Sequence, residues 1–185
     1  MSVVADLDVA PVAVVIPTCD RPLLLARCLE AVRAQTWSTP FEVVVVDDGR
    51  IDVTSVVGAV PGARAISSGR RGPAAARNLG WQAVQAGWIA FTDDDAQPEP
   101  GWLEALMAAR AEGVVGVAGA VTAPAGWDPL YEHAVEADAV GHFLTCNVAY
   151  ARAALVQVGG FNEVFPHAAG EDWDLGERAS RLGRV

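Results

Sequence analysis

The chain has 185 residues, enough for one compact core that hides roughly 70% of the surface its unfolded form would expose. Hydrophobic residues make up 52% and charged residues 19%, which excludes a disordered or collagen-like chain. The formal net charge is −10, from 23 acids against 13 bases that are all arginine, so a nucleic-acid binder with a broad positive face is excluded and an anionic ligand needs local help.

No apolar run reaches the ~18–20 residues of a membrane span, and residues 1–10 carry Asp6 and Asp8 without a basic segment or a signal-like apolar core. A cytoplasmic protein with no transmembrane segment is expected, working free or peripherally at the inner face of the membrane. Cys19, Cys28 and Cys146 are odd in number and widely spaced, so reduced thiols are expected rather than a disulfide framework or a structural zinc site.

Residues 12–16 are a short β-branched run ending at Pro17, and residues 23–35 place Leu24, Cys28, Ala31 and Val32 on one helical face. Residues 41–46 repeat the apolar strand ahead of Asp47, Asp48 and Gly49, and residues 52–60 suit a short helix closed by Pro61 and Gly62. A weaker third strand follows at residues 63–67. Gly72 and Pro73 then open a helix running to about Ala86, residues 88–92 form a fourth strand, and residues 101–112 form another helix. After residues 114–121 the alternation fails. Residues 124–140 read as irregular or partly helical, 143–150 as a strand, 152–158 as a helix and 159–162 as a turn. Residues 171–182 read as a final helix, with Gly183 placed to cap it in a left-handed conformation.

Strands without polar alternation, each followed by a helix, imply parallel strands covered on both faces: a three-layer α/β/α sandwich with a mostly parallel sheet. Right-handed crossovers put the carboxyl ends of such strands on one edge. Thr18 to Asp20, Asp47 and Asp48, Ser67 and Ser68, and Asp93 to Asp95 should therefore converge on one crevice.

If the backbone stays extended after the fourth strand, Asp93 and Asp95 point the same way and Asp94 points opposite. Hard divalent cations such as Mn²⁺ or Mg²⁺ take oxygen ligands of this kind, typically one or two carboxylates plus substrate phosphates and water. An acidic loop capping the next helix is the plainer alternative. A nucleotide diphosphate would be repelled by three bare carboxylates, and a bridging cation converts that repulsion into coordination. The other half of an anion site is expected near Pro73, where a helix start offers free N–H groups and Arg77 offers a bidentate fork. Arg70 and Arg71 suit ordinary solvated loop positions.

At this point the chain resembles the family 2 glycosyltransferases, inverting enzymes of the GT-A fold. VVIPTCDR (residues 14–21) is similar to their opening strand and turn, VVDDG (45–49) to their second, GPAAARNLG (72–80) to their Arg-Asn helix start, and FTDDDAQP (91–98) to their Asp-X-Asp metal motif. TCNVAYARAAL (145–155), GGFNE (159–163) and GEDWDLGER (170–178) are similar to later acceptor-side motifs. The order of the pieces, from about Val12 onward, is more specific than any one of them.

The resemblance implies that Pro17, Thr18 and Asp48 help hold base and ribose, with Asp47 and Arg77 also lining the nucleotide pocket. It implies that Asp93 and Asp95 are the Asp-X-Asp pair at metal and diphosphate, with Asp94 nearby, and that Glu171 and Asp172 are the Glu-Asp pair whose aspartate is the general base. Taken alone, Asp172 also suits a first-turn carboxylate favoured by the helix dipole, and Asp48 a turn-stabilising aspartate before Gly49. Trp102 and Trp173 are candidates to stack on a sugar, Trp173 the better placed because it adjoins Asp172; packing is the commoner role for both.

Two departures from the family pattern stand out. Cys146 occupies a place where a smaller residue is usual, and the chain ends at Val185, directly after the helix carrying Asp172. A C-terminally truncated catalytic domain is therefore expected. His133, His142 and His167 are candidates for a further metal ligand, although each also suits an ordinary surface position.

One glycosyltransferase domain over residues 1–185 is expected, with a nucleotide-binding part at about 12–122 and an acceptor-side part at about 123–185. The expected reaction moves a sugar from a nucleotide diphosphate donor, a UDP-sugar first, to an acceptor hydroxyl with inversion, using Mn²⁺ or Mg²⁺. The acceptor would be a glycan, a lipid-linked sugar or a small molecule. The alternative is a nucleotide-sugar-binding module or inactive fragment. A sugar nucleotidyltransferase fits less well, because the turn after the first strand lacks the glycine-rich basic loop such enzymes carry.

Overall fold

The computed structural model describes residues 11–123, 143–165, 167 and 169–185. The stretch 124–140 expected to be irregular, with His133, lies outside these residues, as does His142.

The β-branched runs form a six-stranded sheet in the order β3-β2-β1-β4-β6-β5. Its strands are β1 (Val12–Thr18), β2 (Glu42–Asp47), β3 (Ala63–Ser67), β4 (Trp88–Phe91), β5 (Gly116–Ala118) and β6 (Val148–Ala151). Parallel pairing sets Val14 beside Val43 and Val15 beside Phe91, while β6 runs antiparallel to both β4 and β5. The sheet is thus mixed, mostly parallel, and all seven residues of β1 are buried because helices cover both of its faces.

One face carries Val12, Val14, Ile16, Val43 and Val45. It packs on Leu25 and Leu29 of α1 (Pro22–Arg33), Val57 of α2 (Thr54–Gly58), and Leu103 and Leu106 of α4 (Trp102–Ala108). The other carries Ala13, Val15, Val44 and Val46. It meets Ala74 and Ala76 of α3 (Pro73–Gln82), Leu155 of α5 (Arg152–Val158), and Leu175 and Ala179 of α6 (Glu171–Ser180). Each fully buried aliphatic side chain contributes roughly 1.5–3 kcal/mol, so the sheet faces rather than helix propensity hold the layers together. Among the described residues no helix is long and apolar enough to cross a membrane.

Several boundaries differ from expectation: α2 and α4 are shorter, Thr54–Gly58 and Trp102–Ala108 against 52–60 and 101–112. β6 starts at Val148 rather than 143 because residues 144–147 turn, with Asn147 N–H donating to the Leu144 carbonyl at 3.0 Å. α3 stops at Gln82, well short of Ala86. α6 stops at Ser180 with a right-handed cap at Arg181, and Gly183 is not left-handed. A Cβ on Gly183 would lie 2.6 Å from the Gly113 carbonyl oxygen, so glycine serves close approach instead: the chain here runs beside residues 113–115, with Arg184 N–H donating to Gly113 at 2.9 Å.

Candidate active site

The crossovers bring four loops to the carboxyl edge of β1, β2, β3 and β4, and hydrogen bonds tie them together. β4 ends at Phe91 and the chain turns, with Ala96 N–H donating to the Asp93 carbonyl at 3.1 Å. The acidic triplet is therefore not extended. Asp94 points inward and shares Arg21 with Asp95: it is fully buried and accepts from the Thr18 hydroxyl at 2.6 Å and from Arg21 Nε at 3.1 Å, with a second guanidinium nitrogen of Arg21 paired to its other oxygen. Burial pushes the Asp94 carboxyl up, against the pull of Thr18 and Arg21. Asp95 is half exposed and meets Arg21 at 2.9 Å.

Asp93 faces a different cation. Arg77, only 3% exposed, reaches Asp93 at 2.7 Å with one guanidinium nitrogen and Glu171, also 3% exposed, at 2.9 Å with the other. Its guanidinium also lies 5.7 Å from the centre of the Phe161 ring. Asp93 and Asp95 thus share a loop but have separate partners.

Just ahead of α3, whose start is expected to offer N–H groups to an anion, the loop itself is held by a carboxylate. Asp48 accepts from Arg71 N–H at 2.8 Å, from Gly72 N–H at 3.0 Å and from the Ser68 hydroxyl. The Asx-turn role considered for Asp48 belongs to Asp47, which accepts from Gly49 N–H at 2.9 Å. Pro17 and Thr18 end β1 with buried side chains. Arg70 is exposed, and Arg71 is exposed but pairs with Glu163 at 2.6 Å.

Glu171, Asp172 and Trp173 form the first turn of α6. Asp172 is half buried and accepts from Trp173 N–H at 2.7 Å, at the positive end of the helix dipole. Trp173 is 53% exposed, edge-on to Phe143 with ring centres 5.6 Å apart. Trp102 is buried and donates to Asn147 at 2.8 Å, as suits the packing role. His167 is exposed.

Sequence reasoning missed three contributors. Arg21 clamps Asp94; the signal available was that a buried carboxylate in this chain can pair only with arginine or histidine. Asn78 ties α3 to residues 161–163, and nothing in its local sequence marks that long-range contact. The Tyr150 hydroxyl is buried with no partner among the described residues.

Among the described residues no three potential metal ligands stand together. Asp93 and Asp95 nevertheless each use one carboxylate oxygen on an arginine and leave the other without a partner among the described residues. Both line a cleft of about 1010 Å³ that also includes Cys146 and Asn147. Two carboxylates with spare oxygens suit a hard divalent cation that completes its shell with phosphate and water.

Residues 13–164 match the family described as Glycosyl transferase family 2. The chain belongs to this family. The pre-mycofactocin glycosyltransferase of Mycobacterium tuberculosis strain H37Rv is 30% identical over 193 residues, covering 93% of this chain and 39% of that protein. The chondroitin synthase of Escherichia coli is 27% identical over 221 residues, covering 92% of this chain and 32% of its own length. Among solved structures, mannosyltransferase PcManGT from Pyrobaculum calidifontis in complex with GDP-Man and Mn²⁺ superposes with a TM-score of 0.75 at 22% identity, over 95% of this chain and 53% of that one. S. aureus TarS 1-349 in complex with UDP gives 0.75 at 18% identity, over 94% and 56%. These likenesses show the GT-A fold. The chain spans about a third of the length of the two curated relatives and about half of each of these solved chains.

Proposed function

We propose that this chain is the catalytic domain of an inverting, metal-dependent glycosyltransferase that moves a sugar from a nucleotide diphosphate donor, a UDP-sugar first, to an acceptor hydroxyl of a glycan, a lipid-linked sugar or a small molecule. The observation that carries the reading is the Asp93–Arg77–Glu171 chain of ion pairs, buried at Arg77 and Glu171, which ties the acidic loop after β4 to the helix turn bearing Asp172. That link would hold donor-side and acceptor-side groups at one edge of the sheet.

In this reading Pro17, Thr18, Asp47, Asp48 and Arg77 border the nucleotide pocket within residues 12–122. Asp94 braces the loop between Asp93 and Asp95. Those two carboxylates would hold Mn²⁺ or Mg²⁺, which supplies positive charge to the diphosphate. Asp172 takes the proton from the acceptor hydroxyl as its oxygen attacks the anomeric carbon; the bond to the diphosphate oxygen breaks from the opposite side, so the centre inverts. Trp173 offers an aromatic face beside Asp172 for the apolar side of an acceptor ring.

The test is transfer from UDP-, GDP- and TDP-sugars with Mn²⁺ and with EDTA, in the parent and in Asp172→Asn. Asp172→Asn should keep its affinity for Mn²⁺ and UDP while transfer falls at least about 100-fold. Transfer at the parental rate from a folded, UDP-binding Asp172→Asn protein would refute the assignment, and UDP binding without transfer by the parent would favour a binding module.

A further inference from the structure

α6 begins without a side-chain cap. Gly170 precedes it at φ 90°, and the described residues between Phe161 and Gly170 form no helix or strand and are exposed, except half-buried Phe165. Later turns of α6 are secure: Leu175 and Ala179 are buried in the core, and Arg178 donates to the Val158 carbonyl at 2.8 Å. The first turn, which carries Asp172, is held by the ring contact between Trp173 and Phe143 and by two consecutive residues of α3. Arg77 holds Glu171, and Asn78 holds the segment leading toward it.

Asn78 is 6% exposed, and its amide is fully used. Nδ2 donates to the Phe161 carbonyl and to Glu163 Oε1, both at 2.9 Å. Oδ1 accepts from Phe161 N–H at 2.8 Å and from Trp81 Nε1 at 3.1 Å. Gly160 makes the approach possible: its φ is 73°, and a Cβ there would lie 2.5 Å from Asn78 Oδ1. The other Glu163 oxygen takes Arg71, whose own N–H is held by Asp48, so the clamp reaches back to the loop before α3.

We propose that Asn78 is a positioning residue that sets where the first turn of α6, and with it Asp172, sits relative to the acidic loop. The consequence for transfer rests on the glycosyltransferase reading above; the structural consequence does not. Because Leu175 and Ala179 keep the rest of the helix docked, loss of the clamp displaces one turn rather than unfolding the chain.

The experiment is kinetics and amide hydrogen exchange on the full chain. In Asn78→Ala, kcat should fall about 10- to 100-fold, the cost of a small misplacement of a reacting group. Donor KM and affinity for UDP with Mn²⁺ should stay within about threefold. Exchange at residues 171–174 should accelerate while β1 and α1 keep their protection. If Asn78→Ala does not fold, Asn78→Ser leaves a small neutral polar group in place, still breaks the reach to Phe161 and Glu163, and should behave in the same way. Glu163→Gln preserves an acceptor for Asn78 and should leave kcat near the parental value. Unchanged exchange at 171–174 in a folded variant would overturn the proposal, as would acceleration spread over the whole chain, a matching loss of UDP affinity, or an equal loss in Glu163→Gln. If the parent transfers no sugar, the glycosyltransferase reading fails and the exchange comparison alone decides the clamp.

Discussion

Arg77→Met should be the most damaging single change at the site. Methionine keeps much of the side chain's apolar bulk and removes the guanidinium. Burial opposes the charge on Arg77, but Asp93 and Glu171 outweigh it and hold the guanidinium above its ordinary pKa. Without Arg77, Glu171 is a carboxylate 3% exposed whose second oxygen already lacks a partner among the described residues. Removing one member of a buried pair costs about 3–5 kcal/mol. Asp93, 26% exposed, can be solvated instead, and its share is about 0–1 kcal/mol. At about 2–4 °C per kcal/mol for a domain of this size, the combined loss of about 3–6 kcal/mol lowers Tm by about 6–24 °C. Urea denaturation of Arg77→Met, Glu171→Gln and the double variant measures the coupling. Neutralising Glu171 in the Arg77→Met background should recover at least about 1 kcal/mol, because the stranded charge is gone. A loss below about 1 kcal/mol in Arg77→Met, or a double variant that costs the sum of the singles, would refute the reasoning.

Two further predictions concern buried groups with raised pKa values. Tyr150→Phe removes an unpartnered hydroxyl whose pKa is pushed up by burial and then by Asp172, so urea denaturation should show stability unchanged or raised by about 1–3 kcal/mol; a loss above about 1 kcal/mol would mean the hydroxyl has a partner. Burial pushes the Cys28 thiol from 9.0 up to about 12, so the folded state binds this proton more tightly and the associated stability, fully present below pH 9.0, is lost as pH rises toward 12. Cys146, whose thiol burial also pushes up to about 12, adds to the slope, so Cys28→Ala should reduce it by about 1.4 kcal/mol per pH unit; equal pH slopes in parent and variant would refute the assignment.

The sheet and its helices were legible because a run such as Val43 to Val46 has one physical solution, burial on both faces, and α5 begins and ends where its apolar periodicity does. The gathering of Thr18, Asp48, Ser68 and Asp93–95 at one edge followed from crossover handedness alone. Individual side-chain roles were less legible. The extended-chain rule for Asp93 and Asp95 assumed that β4 continues, whereas the backbone turns after Phe91. That Asp48 takes the N–H groups of Arg71 and Gly72, just ahead of α3, depends on a contact across 23 and 24 residues that no local pattern marks. Gly183 satisfies close approach and not a left-handed cap, a distinction that depends on residues 113–115 lying beside it.

Those misses have a common physical origin. Local reading assigns each charge to solvent, a helix end or a ligand, while at this site the arginines are matched to carboxylates far away in sequence: Arg21 to Asp94 and Asp95, Arg71 to Glu163, Arg77 to Asp93 and Glu171. In a chain of net charge −10 these pairings leave Arg21, Arg71 and Arg77 already facing anions before a diphosphate arrives. Exposed pairs such as Arg21–Asp95 are cheap to rearrange, at about 0.2–1 kcal/mol, and the buried Arg77–Glu171 pair is not. Arg77 is therefore suited to hold the frame. Asp95 and the spare oxygen of Asp93 keep the capacity to accept a cation, as the proposed metal-dependent reading requires.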